Sequence, residues 1–289
     1  MNNLPDFDTL WDYNDPEKSE QAFRELLAVA ESVGDPDYHT QLLTQIARTH
    51  SLRRQFDEAH SILDDAEALL SDQTPVARVR YLLERGRTYN SAGEIESARP
   101  LFEEALDLAR GIGTDYHAVD AAHMLGICET GVKALRWNET AMDAAESSHD
   151  SRAKEWLGAL YNNTGWTYHD AGEYQRALEC FEKGLAWRVE RDNPVTTRIA
   201  KWSVARALRS LGRTSEALDI QRALLAEHES AGTKDGYVYE ELAECLLILG
   251  KADDARSFFN LAYHELSKDA WLKENEADRL ERLQRFGKL

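Results

Sequence analysis

Five arginines and three broad aromatic rings carry the clearest recognition chemistry in this 289-residue chain: Arg48, Arg80, Arg87, Arg206 and Arg209, with Trp166, Trp202 and Tyr237. A guanidinium presents a planar fork of donors that matches a carboxylate, and a flat ring offers apolar area to an extended peptide's side chains. Asn90, His123, Asn162 and His169 fall in the same register and complete the candidate binding set. Catalytic chemistry has no comparable signature. The chain lacks a Walker loop, G-x-S-x-G, H-E-x-x-H and a dinucleotide fingerprint. Its nine histidines are scattered: His117 and His123 are six residues apart and fall on different helix faces. Asp120 stands three residues from each, but no carboxylate at such a place completes a ligand set convincingly. The expectation is a binding protein with no cofactor, no metal and no enzymatic activity.

The elements that must position these residues follow from a repeat. A small residue recurs at Ala47, Gly86, Gly126, Gly165, Ala205 and Ala243, in steps of 39, 40, 39, 40 and 38 residues. A second column reads Ala59, Ala98, Asn138, Ala177, Ala217 and Ala255. Four residues later come Leu63, Phe102, Met142, Phe181, Gln221 and Phe259. Small residues allow close approach of two helices, and a large side chain from the second fills the space beside them. Gly93, Gly172, Gly212 and Gly250 mark the turn inside each helix pair, where a left-handed residue is needed. A fixed period of this size means stacked units that bury their apolar faces only against neighbours. Because Ala occupies the first column three times, Gly165→Ala is expected to cost little.

These residues resemble the tetratricopeptide repeat (TPR) family. Leu125-Gly126 and Tyr161…Gly165…Tyr168…Ala177…Phe181 carry the match, which covers roughly residues 16–268. The resemblance implies an all-α fold, a right-handed superhelical α-solenoid of antiparallel helix pairs. The period near 39 exceeds the usual TPR length of about 34, so the longer-repeat variety is expected. The resemblance also implies that one face of each first helix lines a concave groove. That face takes the positions six and three before the small column and one and four after it. Across six units it holds the five arginines against three acids, Asp120, Glu240 and Glu244. TPR domains that clamp a chaperone's C-terminal carboxylate use a Lys/Asn/Asn/Lys/Arg set on this face, which neither Thr44, Arg48, Glu84 and Arg80 nor Asn162, Trp166, Ser203 and Ile199 reproduces.

Organisation follows from the same landmarks. Residues 1–36 read as a lead plus a half-repeat helix opened by Asp15-Pro16-Glu17, with Leu10, Trp11 and Tyr13 free to cover an exposed end. Residues 37–268 read as six repeats, and 269–289 as one C-terminal capping helix. The third repeat is the least regular, with Asn138 for Ala, Lys133 where the turn glycine belongs and Trp137 beside it. It reads either as a local distortion or as a site.

The net charge of -18 argues against nucleic acid and anionic membrane as partners. Most acid falls on second helices, as at Asp57-Glu58 and Glu103-Glu104, and reads as a solvated outer face. The three cysteines form no CxxC pair and suit helix interiors in a reducing compartment. The N-terminal residues lack a basic start and an apolar run, which points to a cytoplasmic protein. The favoured function is a protein-interaction scaffold for an acidic or carboxylate-bearing peptide, with oligomeric state open. A peptide-sensing regulator is the alternative, and an enzyme the remote one. On this reading, reversing Arg206 and Arg209 to Glu abolishes binding without unfolding the protein.

Overall fold

The computed structural model describes residues 4–288, and every regular element among them is helical. A short 3-10 helix, Phe7–Leu10, precedes α1 (Pro16–Val33), α2 (Pro36–Leu52), α3 (Phe56–Ala68), α4 (Pro75–Ala92), α5 (Ile95–Ile112), α6 (Asp115–Cys128), α7 (Gly131–Ser147) and α8 (Ser151–Glu155). Then come α9 (Leu157–Asp170), α10 (Tyr174–Glu190), α11 (Pro194–Ser210), α12 (Thr214–Ser230), α13 (Gly236–Ile248), α14 (Ala252–Leu266), α15 (Ala270–Asn275) and α16 (Ala277–Lys288). Contacts divide the chain into two compact units, Met1–Leu160 and Tyr161–Leu289. Each unit is an α-solenoid of the TPR kind, built from consecutive helix pairs. In the first, α2 packs on α3, α4 on α5 and α6 on α7, while α2 also lies beside α4. In the second, α11 packs on α12 and α13 on α14.

Helix starts are encoded locally. Asp15, Asp35, Asn193 and Asp235 cap α1, α2, α11 and α13 by accepting from the first-turn amides, and Pro opens α1, α2, α4 and α11. Gly93, Gly172, Gly212 and Gly250 all adopt positive φ at the turn within a pair. In the first pair that position is Arg54, held at φ 61 with its guanidinium over Phe56.

The packing within pairs is tighter than column statistics suggest. A Cβ added at Gly86 would stand 2.6 Å from the Phe102 ring, and one at Gly165 would stand 2.6 Å from Cδ1 of Phe181. Both rings are fully buried. The expectation that Gly165→Ala is cheap is therefore wrong. Alanine suits this column opposite smaller side chains such as Leu63 and Gln221, whereas Phe181 occupies the volume a methyl would need. Phe259, in the Ala243 pair, stacks instead on Phe286 of α16 at 5.2 Å.

Two further expectations are corrected. In the third repeat the turn comes one helical turn early, at Glu129 and Thr130, so Lys133 lies inside α7. Positive φ passes to Gly131, and Arg99 of α5 reaches Glu129 at 2.9 Å. The terminal helix is two helices, because the chain breaks at Glu276 between α15 and α16. Among the described residues no helix is long and apolar enough to cross a membrane.

Gly165→Ala is expected to lower stability by about 1–3 kcal/mol through overpacking against Phe181. Adding Phe181→Leu should recover part of that loss in a double-mutant cycle. Equal midpoints in urea for wild type and Gly165→Ala would contradict the packing described.

Candidate functional site

In the first unit α2 and α4 bring Arg48, Arg80 and Arg87 onto one face, as the spacing predicts. None of the three is free. Arg48 donates to Glu84 at 3.1 Å, Arg87 donates to the same oxygen at 2.6 Å, and Arg87 also pairs with Asp120. The result is an alternating chain of charge across three helices. Burial alone would raise the Asp120 carboxyl, but the adjacent Arg87 guanidinium outweighs it and holds the group below its usual range. Asp120 and Glu84 in turn keep Arg87 charged more firmly than usual despite its burial.

Arg80 is 6% exposed and is held by the N-terminal lead. Its guanidinium donates both terminal nitrogens to Asp8 and lies 4.9 Å over the Phe7 ring. Arg48 covers Trp11 and Tyr13, which stack on each other at 4.9 Å. Trp11 Nε1 donates to Gln45 at 3.0 Å, and Phe7 packs into the core around Phe23, Leu42 and Ile46. Asn90 accepts from the Cys128 thiol, and His123 is buried 5.2 Å from Trp156.

In the second unit, Trp166, Trp202 and Tyr237 form an aromatic ladder, with centroids 5.7 and 6.1 Å apart. Trp202 Nε1 donates to the Tyr237 carbonyl, which fixes the ring across α11 and α13. His169 shares Ser210 Oγ with Arg206, and Asn162 bonds to its neighbour Asn163. Arg209 makes a bidentate pair with Glu241 at 2.7 and 2.8 Å, and Arg206 approaches the same carboxylate at 3.2 Å. Glu240 and Glu244 are engaged by Arg279 and Arg282 of α16. Beyond the ladder lies a pocket of about 350 Å³ walled by Val195, Ile199, Trp202, Tyr237 and Val238, with Arg198, His228 and Asp235 also lining it.

The charge argument from the sequence needs correction. Adding Asp8, Glu84 and Glu241 to the face removes its positive excess. Glu84 and Glu241 both stand two residues before the small column, a column that reads Gln45, Glu84, Met124, Asn163, Ser203 and Glu241. Reading arginines against that column in the next repeat would have found the Arg48–Glu84 and Arg209–Glu241 pairs. A second consequence concerns Arg206 and Arg209. Reversing both would leave Glu241, 4% exposed, buried among like charges. Removing the partner of a buried ion costs on the order of 3–5 kcal/mol, so the double reversal is not a clean binding test. Residues missed altogether are Val195, Arg198 and Asp8, none of which lies in the stripe.

Three family models described as tetratricopeptide repeat match residues 79–111, 157–190 and 205–270, so the chain carries TPR repeats. No curated protein matches the sequence. Among solved structures, the chain resembles a STAND signal-transduction ATPase with a tetratricopeptide repeat sensor from Pyrococcus horikoshii, at 16% identity and TM-score 0.72. That match covers 93% of this chain but 41% of the ATPase. The apo form of RapI is similar at 13% identity and TM-score 0.67, covering 89% of this chain and 76% of RapI. BtubC from P. vanneervenii is similar at 16% identity and TM-score 0.58, covering 80% and 94%. At these identities the likeness establishes the fold alone.

Buried beneath the first unit's face, His117 has no hydrogen-bond partner at either ring nitrogen. Burial, reinforced by nearby Arg80, pushes its pKa down to about 3. The unfolded chain takes up that proton near pH 6.5 while the folded chain does not, so stability falls as pH drops from about 6.5 toward 3. His117→Leu should remove about 1 kcal/mol of the loss between pH 7 and pH 5.5, measured by urea unfolding at both values. Identical losses for variant and wild type would contradict a neutral buried imidazole.

Proposed function

We propose that this protein is a non-enzymatic interaction scaffold that holds an extended, carboxylate-bearing segment of a partner protein on its first-helix faces. The open site is on the second unit. One observation carries the reading: the Trp166–Trp202–Tyr237 ladder leads to a mainly apolar pocket lined also by Arg198, which makes no ion pair among the described residues, while the pocket's acid, Asp235, is engaged by the α13 amides and lies 3.8 Å from His228. Val195 and Ile199, 59% and 55% exposed, form part of that pocket. Contiguous apolar exposure of this kind beside a cation suits a large side chain with a carboxylate near it. Arg206 and Arg209, held by Glu241, border the ladder as pre-oriented forks rather than as free charges.

The net charge of -18 favours a protein or peptide partner over nucleic acid or an anionic membrane and fits a cytoplasmic setting. The repeats are of the longer, roughly 39-residue TPR variety, six in number after a half-repeat formed by α1, with α15 and α16 as the terminal cap. A peptide-sensing role is favoured by one feature, the occupation of the first unit's face by the chain's own residues 5–13.

Trp202→Ala is expected to weaken capture of the native partner from its host by about 2 kcal/mol. Arg198→Glu should weaken it at least tenfold at low salt and less at high salt, because exposed charges are screened over about 8–10 Å at physiological ionic strength. Both variants should keep the wild-type circular dichroism spectrum. Folded variants that both bind as wild type would overturn the assignment of this face.

A further inference from the structure

Residues 5–13, Pro-Asp-Phe-Asp-Thr-Leu-Trp-Asp-Tyr, contain three acids, three aromatic rings and no base. They lie on the first unit's arginine face, and what holds them there is a set of side-chain contacts. Asp8 takes the Arg80 fork, Phe7 lies under that guanidinium, and Trp11 reaches Gln45 beneath Arg48. Where the lead's backbone meets the helices it meets side chains, Tyr38 Oη donating to the Pro5 carbonyl and the Asp12 amide donating to Ser19 Oγ, while the Thr9 amide closes back on the Asp6 carbonyl within the lead. Among the described residues no backbone–backbone hydrogen bond ties this segment to α2, α4 or α6. A ligand held by side-chain forks and rings, with no shared backbone ladder, can be exchanged for another segment of the same chemistry. Arg80 gives the reason the face needs an occupant, since it is almost wholly buried and, among the described residues, Asp8 is the carboxylate it pairs with.

The geometry points to the first unit's face being a second docking surface, for an acidic segment with an aspartate next to one aromatic residue and another aromatic three residues on. Residues 5–13 are its resident occupant, and a partner segment of that chemistry displaces them. This rests on the scaffold reading above and names the partner chemistry at a face that reading leaves closed. Arg80 sets the acid, Arg80 with Phe23, Leu42 and Ile46 sets the first ring, and Arg48 and Gln45 set the second. In the resting chain the tethered lead competes at an effective concentration of about a millimolar, so only a tight or locally concentrated partner opens the face.

The test uses the full chain and a labelled synthetic peptide of residues 4–14. An Asp8→Lys, Trp11→Ala variant, whose own lead is weakened, should bind the peptide at least tenfold more tightly than wild type. Adding Arg80→Glu to that variant should abolish binding, and a peptide of scrambled order should not bind. A folded variant that ignores the peptide, or wild type binding it equally well, overturns the proposal. Hydrogen exchange on the wild type serves if the variant fails to fold: amides of residues 5–13 should exchange at least tenfold faster than those of α2 and α4. Equal protection would make the lead part of the fixed core and overturn displacement. Sedimentation that shows wild-type dimers exchanging their leads would also overturn it, with a second copy as the occupant. The assay leaves Arg198 and Trp202 untouched, so its failure alongside intact partner capture would sink this assignment alone.

Discussion

The fit of Phe102 against Gly86 and of Phe181 against Gly165 is the constraint on which the rest depends. It fixes how closely the two helices of a pair approach, and hence how pairs stack on their neighbours. Stacking places the first helices of successive repeats side by side. Residues 32 to 36 apart in sequence then become contact partners: Arg48 with Glu84, Arg87 with Asp120, and Arg209 with Glu241. The ion-pair network of the first-helix faces is therefore a product of the repeat period. A single pair could not build it, because the forks of Arg48, Arg87 and Arg209 are each oriented by an acid on the next first helix.

That arrangement has an energetic logic. Burying a guanidinium is costly unless a carboxylate accompanies it. The paired acids offset the cost and hold each fork in one orientation, at the expense of net attraction for an incoming anion. On the proposed scaffold reading, selectivity then comes from geometry more than from bulk charge. The two units solve this differently. On the first, the chain's own acidic and aromatic lead completes the pairing around Arg80. On the second, Glu241 satisfies Arg206 and Arg209 from within, and the aromatic ladder with its pocket stays open. The C-terminal helix engages Glu240 and Glu244 there, so acids of the stripe are also consumed internally.

Much of the fold was legible because it is periodic. Small columns, turn glycines and Asp-Pro or Asn-Pro caps mark the pairs without any alignment. Size complementarity within a column was not legible: a column of Gly and Ala reads as interchangeable until the opposite ring is seen. Lys133 misled because the third repeat moves its turn to residues 129 and 130 and gives positive φ to Gly131. The arginine stripe was legible, but two of the acids paired with it, Glu84 and Glu241, sit two residues before the small column, just outside the stripe. The lead was read as end cover from Leu10, Trp11 and Tyr13. Trp11 does pack on Phe23, yet Leu10 and Tyr13 stay exposed. The decisive contact, Asp8 with Arg80, spans 72 residues and has no periodic signal to announce it.

The most direct test of where this protein takes its ligand is site-specific photo-crosslinking in the native host. A benzophenone amino acid would replace Ile199, on the first-helix face, or Glu182, exposed on the second helix α10. The account predicts a discrete protein adduct from position 199 and none from position 182. An adduct formed from position 182 and absent from position 199 would contradict it.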